Sequence, residues 1–338
     1  MKRHALITGI CGFIGSNLAR KLLSEGWVVD GVDDLSSGRL ENLDGLDIRV
    51  IPTGDFLQHF EEVESEKRPD NTILVVQDTF SHHSIISRIS RGKYDVVFHQ
   101  AAIPRVLYSV ENPSQTTAVN IAETISLFES CVNNVKRVIW ASSSSVYGGA
   151  DTLPTSESHS KDPKSPYAWQ KSAIEDAASL FSNLYDLDIV CLRYFNAFGP
   201  YQYGDSAYST AVSAWCHSIK NNLPLRSDGD GSQSRDLCYI DNIVHANYLA
   251  ACSDRKFKGE RYNVACGDRT TNNEILDFLR DRFPDLTIRN APWRPGDVMH
   301  TQADISKIKE DLGYEPLVRF WDGLERTLAW WGLNDNEV

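Results

Sequence analysis

Residues 8–15 read TGICGFIG, between the short run HALI at 4–7 and the stretch SNLARKLLSEG at 16–26. Gly9, Gly12 and Gly15 stand at i, i+3 and i+6, where an apolar run gives way to Phe13, Leu18, Leu22 and Leu23 at near-helical spacing. That is a strand, a tight turn and a helix. Side chains are excluded from such a turn where the chain reverses, where a ligand's diphosphate must touch backbone, and where the helix packs on its strand. The helix then offers its first N–H groups to the phosphates.

Working outward, WVVDGVDD at 27–34 reads as a second strand. The alternation returns in TILVVQD (72–78), YDVVFHQAA (94–102), a helical segment near 114–132 and VKRVIWASSSSVYG (135–148). These apolar runs are continuous rather than alternating, as in strands covered on both faces. The expected fold is α/β: a Rossmann-like, doubly wound parallel sheet with a smaller α/β substrate-binding lobe. The expected division is 1–196 with 239–266 for the nucleotide-binding domain, and 197–238 with 267–338 for the interleaved lobe. The charge-rich segment from Asp55 to Asn71 fits neither and reads as a surface insertion.

Composition narrows the function. A net charge of −12 with scattered Lys and Arg opposes a nucleic-acid surface, which needs a concentrated basic patch. Seven cysteines form no C-x-x-C pair, which points away from a disulfide framework or zinc site and towards a reducing, cytoplasmic setting; no metal is expected. The glycines interrupt the first apolar run and no later run is long enough to span a bilayer, so neither a leader nor a membrane partner is expected.

Asp33 lies 24 residues after Gly9, where a carboxylate accepts hydrogen bonds from an adenosine ribose. Asp34 is the competing residue. Asp34, Leu35 and Ser36 offer no cation for a 2′-phosphate, although Arg39 lies downstream, so NAD is favoured over NADP. In SPYAWQKS at 165–172, Tyr167 and Lys171 are four apart and share one helix face. A phenol has an ordinary pKa of about 10 and becomes a base near neutrality only if cations favour its phenolate.

With the glycine turn, ASSSSVYGG at 141–149 and SPYAWQKS, the chain resembles the extended short-chain dehydrogenase/reductase superfamily, and within it the nucleotide-sugar 4-epimerases. HQAA (99–102), LRYFNAFGP (192–200), DGDGSQSRDLCYIDN (228–242) and RPGDVMHTQADISK (294–307) follow in the family's order. The resemblance implies a catalytic Ser143, with Ser144 as its alternative, acting with Tyr167 and Lys171. It implies NAD contacts from Gly9, Gly12, Phe13, Ile14, Gly15, Asp33, Asp34, Ser37, Gly38, Gln100, Ala101, Ala102, Asn120, Ser142, Tyr167, Lys171 and Tyr194. For the adenine contact Asp78 is preferred to Asp55, because it ends a strand 21 residues before His99.

On the same basis, Asn196, Thr210, Arg235, Arg294, Asp297 and Thr301, with Ser143, would hold a UDP-sugar. Tyr167 would take a proton from the sugar hydroxyl as hydride leaves that carbon, and hydride would return to the other face. Dehydratases of the superfamily carry an Asp-Glu pair where this chain has Ser144 and Ser145, so dehydration is not expected. A small Thr301, where a tyrosine would crowd the sugar's 2-substituent, favours UDP-N-acetylglucosamine/UDP-N-acetylgalactosamine, with UDP-glucose/UDP-galactose as further substrates. Arg105 makes a uronic acid the runner-up, and a silent NAD-binding interaction protein is the reading from another class. The resemblance also implies a homodimer built on helices near 114–132 and 167–184, the second bearing Ala173, Ala177, Leu180, Phe181 and Leu184 as an apolar stripe.

Overall fold

A computed structural model describes residues 2–52, 69, 71–104, 106–205, 210–293 and 298–333. Among them, eight strands form one sheet: β1 (His4–Thr8), β2 (Val28–Asp33), β3 (Ile48–Pro52), β4 (Ile73–Gln77), β5 (Val96–His99), β6 (Arg137–Ser143), β7 (Ile189–Tyr194) and β8 (Lys258–Val264). Their order is β8-β7-β6-β5-β1-β2-β4-β3. The pairings β3·β4, β4·β2, β2·β1, β1·β5 and β5·β6 are parallel. The Rossmann-like α/β expectation therefore stands.

The continuous apolar runs are buried as read: Ala5, Leu6 and Ile7 in β1, Ile73 to Val76 in β4, and Val138 and Ile139 in β6. β3 differs, with Arg49 exposed between half-buried Ile48 and Val50, as suits an edge strand. The chain thus runs from β2 to the edge and back, laying β4 between them. Nearly all of the charged segment at 55–71 lies outside the described residues.

The chain forms two compact units, one of Met1–Ser142, Ser165–Leu192 and Ala246–Arg261, the other of Ser143–Lys164, Arg193–His245 and Tyr262–Val338. In the first, β1 leads through the glycine turn into α1 (Phe13–Ser24), whose Leu18, Ala19 and Leu22 enter the core. Helix α2 (His83–Ser90) follows β4, α3 (Thr124–Cys131) precedes β6, and α4 (Pro166–Tyr185) precedes β7. The second unit contains the short parallel pair Leu225–Asp228 with Ile288–Ala291 and the helices Ala211–Lys220, Asn272–Arg282 and Phe320–Trp330. No described helix is long and apolar enough to cross a membrane, and no metal-binding cluster occurs among the described residues.

Candidate active site

The strand order reverses at β1, which has β2 on one side and β5 on the other; ligands of open α/β sheets bind beyond the carboxyl ends at such a point. Gly9 has φ +71°, and a Cβ there would lie 3.0 Å from both Cα and N of Ala101, so the turn and the segment after β5 touch backbone to backbone. A Cβ on Gly15 would meet the Gly9 carbonyl oxygen at 2.1 Å, so α1 sits directly on the turn. Gly12 is different. It caps α1 without a side-chain hydrogen bond, and its absent Cβ would meet only the Gly9 oxygen, at 3.1 Å. Phe13 and Ile14 are half-buried beside it.

Asp33 ends β2 and is buried. Its carboxylate accepts from Cys11 N and Leu35 N, both at 2.9 Å, while burial pushes its pKa up to about 6 against those bonds. Gly38 lies against it, since a Cβ would come within 2.7–2.8 Å of both carboxylate oxygens and cover them. Asp34 is exposed and accepts from Ser36 N at 2.9 Å; Ser37 is exposed. Asp78 follows β4, the strand beside β2. Its Oδ1 accepts from Thr79 N at 2.7 Å, and its buried Oδ2 has no hydrogen bond, with His82 Nε2 at 3.6 Å.

HQAA holds a hydrogen-bond chain that sequence reading missed. Ala101 N donates to the Thr8 hydroxyl at 3.1 Å, which lies 2.7 Å from His99 Nδ1, and His99 Nε2 is 3.0 Å from the Thr124 hydroxyl. Each ring nitrogen of His99 therefore has a hydroxyl partner, Thr8 on one side and Thr124 on the other. Full burial, reinforced by Lys171, pushes this imidazole down to about 3, so it is neutral. Gln100 donates to Asn247 Oδ1 at 3.1 Å, and Ala102 is half-buried. Asn120 sits in a π-turn at Ala118–Glu123 and brackets Ile103, accepting from its N at 2.8 Å and donating to its O at 3.1 Å. It also donates to Gln170 Oε1 at 2.8 Å, so it ties the segment after β5 to α4.

Helix α4 starts at Ser165, whose hydroxyl accepts from Ala168 N, with Pro166 at the first position. Tyr167 and Lys171 are both buried on it, and the Lys171 ammonium lies 5.8 Å from the Tyr167 ring centroid and 4.6 Å from that of Trp140. It donates to the Ala141 carbonyl at 2.5 Å. Burial pushes its pKa down to about 7, opposed by Cys191 and Glu175. Ser142 is buried with its hydroxyl donated to Glu175 Oε1 at 2.7 Å. Strand alternation sends Ser143 to the other face.

In the second unit, Ser143 Oγ caps the turn Ser144–Tyr147 by accepting from Ser145 N at 3.2 Å, which leaves its own proton to donate. Asn196, at φ +28°, donates to Asp236 O and to Thr301 Oγ1, both at 3.0 Å, and Thr301 Oγ1 also accepts from Asp236 N at 3.2 Å. Asp236, which sequence reading passed over, is fully buried and accepts from the N–H groups of Cys266, Gly267 and Ala303 at 3.0–3.1 Å; burial raises its pKa to about 7 against those bonds. Arg235 donates to the carbonyls of Ser234 and Met299 at 3.0 and 3.1 Å. Tyr194 is buried, and Thr210 is the exposed N-cap of Ala211–Lys220. Arg105, Arg294 and Asp297 lie outside the described residues.

These residues fit a dinucleotide. Gly12 leaves open backbone at a helix N-terminus for a diphosphate, Gly38 adds no side chain over the Asp33 carboxylate, the candidate ribose acceptor, and Asp78 Oδ2 is a buried acceptor with no hydrogen bond to satisfy it. Residues 5–265 match the NAD dependent epimerase/dehydratase family, and the chain belongs to it: it is an NAD-dependent epimerase by fold and family.

More particularly, it is 32% identical over 331 residues to a UDP-glucose 4-epimerase of Mycolicibacterium smegmatis, covering 96% of this chain and 97% of that one. It is 31% identical to a UDP-glucuronate 4-epimerase of Thermodesulfobacterium geofontis, with 97% and 95% covered. Among solved structures, a UDP-N-acetylglucosamine 4-epimerase of Methanobrevibacter ruminantium M1 in complex with UDP-N-acetylmuramic acid matches with TM-score 0.85 and 33% identity over 98% of each chain.

Proposed function

We propose that this chain is a UDP-sugar 4-epimerase that interconverts UDP-N-acetylglucosamine and UDP-N-acetylgalactosamine, accepting UDP-glucose and UDP-galactose as well. Bound NAD supplies the acceptor and donor of hydride. Tyr167 takes the proton from the sugar 4-hydroxyl and later returns it, and Ser143, or Ser144 beside it, donates a hydrogen bond to that oxygen. Lys171 favours the phenolate. The observation that carries this reading is the buried Tyr167–Lys171 pair on one face of α4, with the ammonium fixed on the Ala141 carbonyl.

The first unit would hold NAD through Gly9, Gly12, Gly15, Asp33 and Asp78. The second would hold the nucleotide sugar through Asn196, Arg235 and Thr301, with Arg294 and Asp297. Thr301 supports the N-acetylated sugar because it is short and both Asn196 and Asp236 N hold its hydroxyl. The uronic acid remains the second reading, supported by Arg105 in the sequence and by the UDP-glucuronate 4-epimerase relative. We also infer a cytoplasmic homodimer, supported by Leu180 and Leu184, exposed on α4 at 53% and 63%.

The test is to incubate the purified protein with UDP-N-acetylglucosamine, UDP-glucose and UDP-glucuronic acid, separate the 4-epimers, and follow nicotinamide absorbance. Formation of the N-acetylgalactosamine epimer with almost no net absorbance change is expected. Turnover of the uronic acid alone would move the assignment to the second reading. Stoichiometric reduction of NAD would overturn the epimerase, and no product with added NAD would leave a silent NAD-binding protein.

A further inference from the structure

Glu175 follows Lys171 by four residues on α4, has no exposed surface, and enters none of the roles given above. A fully buried carboxylate is costly unless it is paired and hydrogen-bonded. Its Oε1 accepts from Ser142 at 2.7 Å, and its Oε2 lies 3.3 Å from Arg261 Nε on β8. Arg261 also donates to the Glu175 carbonyl at 3.2 Å and to Asp176 at 3.1 Å, so β8 and α4 clasp this carboxylate. Successive residues of β6 are thereby gripped by successive turns of α4: Ala141 by Lys171, and Ser142 by Glu175.

We propose that Glu175 is a positioning residue for the Tyr167–Lys171 pair, the buried counter-charge that keeps Lys171 an ammonium while tying the end of β6 through Ser142. This rests on the epimerase reading only for what the ammonium is used for.

Among the described residues, Lys171 has the Tyr167 ring at 5.8 Å and Glu175 one turn further along its own helix, the Ala141 carbonyl and the Trp140 ring on β6, and electrostatic neighbours in Cys191 on β7 and the neutral His99 on β5. Glu175 is the carboxylate in that set. A carbonyl and a ring face solvate an ammonium only partly, so burial works against the charge. A buried carboxylate one turn away works for it. Arg261, on the far side of Glu175, offsets some of that effect.

The experiment titrates the Lys171 side chain directly. Holoenzyme carrying isotope-labelled lysines is followed by NMR across pH, with the Lys171 signal assigned by its absence in Lys171→Arg. Glu175→Gln keeps shape and can still accept from Ser142, but it loses the charge and turns an amide NH2 towards Arg261; the Lys171 titration should move down by about 1–3 pH units, the effect of one nearby opposite charge. Ser142→Ala should leave it in place. Arg261→Gln should move it up, because the carboxylate is then less offset. An unmoved titration in Glu175→Gln, the same downward shift in Ser142→Ala, or a downward shift in Arg261→Gln would each overturn the proposal. The two latter variants keep it falsifiable if Glu175→Gln does not fold. The titration needs no turnover, so a protein inactive on every UDP-sugar would refute the proposed function and leave this inference to its own result.

Discussion

Alanine at Gly12 and at Gly15 separates the turn's binding role from its packing role. At Gly15 the new methyl would sit 2.1 Å from the Gly9 oxygen and 2.8 Å from both the Gly9 carbon and Ile10 Cα, all backbone. Relief to ordinary contact at 3.4 Å needs a shift of about 1.3 Å between α1 and the turn. Overpacking of this kind costs about 1–3 kcal/mol, or roughly 2–12 °C in Tm at about 2–4 °C per kcal/mol for a domain of this size. At Gly12 the backbone is extended, with φ −76° and ψ 172°, and the one contact is 3.1 Å, so apo stability should fall by less than about 1 kcal/mol. The methyl would instead project where a diphosphate approaches, and NAD affinity should drop at least about tenfold, 1.4 kcal/mol. Thermal melts with and without NAD, together with calorimetric titration, read both effects. Wild-type NAD affinity in Gly12→Ala would refute the placing of the diphosphate, and an unchanged apo Tm in Gly15→Ala would refute the packing argument.

Further outcomes follow from other residues. His99 titrates near 3 when folded and near 6.5 in its ordinary state, so the unfolded chain alone binds this proton between those values. Its contribution is whole above about pH 6.5 and declines as pH falls towards 3, by on the order of 5 kcal/mol in total; denaturant melts of His99→Gln should show a flatter loss over that window, and parallel curves would contradict a neutral buried His99. Tyr167→Phe and Lys171→Met should each lower turnover by about 10²–10⁴-fold while leaving the melt of the apo protein within a few degrees, and full activity at neutral pH in either would remove the proposed chemistry. Thr301→Val deletes the acceptor for Asn196 and for Asp236 N, at about 1–3 kcal/mol, and should weaken use of all UDP-sugars alike. Thr301→Tyr should add a selective loss of N-acetylated substrates, measured as the ratio of kcat/KM values, and equal losses would end the pocket-size argument.

How much of this was legible in the sequence depended on how local each cause is. The glycine turn was legible because two of its three absent Cβ atoms answer to contacts within a few residues, Gly15 being forbidden a side chain by Gly9 itself, although Gly9 answers to Ala101, far along the chain. The central strands were legible because burial on both faces leaves a continuous apolar run. The return of β4 to lie inside β3 was not, because only pairing between distant strands fixes that order. Asp78 was placed from its spacing to His99, and it does follow the strand next to β2.

The residues that escaped notice share a different property, in that their partners lie far along the chain. Glu175 reads in isolation as one more charge on an amphipathic helix, the ordinary fate of a glutamate in such a place. Only the arrival of Ser142, 33 residues before it, and Arg261, 86 after, turns it into a buried ion. Thr301 was read for its volume, yet its hydroxyl is held by Asn196, 105 residues away, a bond that volume cannot reveal. A tyrosine there would therefore change two things at once, filling space and orphaning two donors. The valine variant loses the same acceptor without the added bulk, so the tyrosine result can be read as a statement about the sugar only against it.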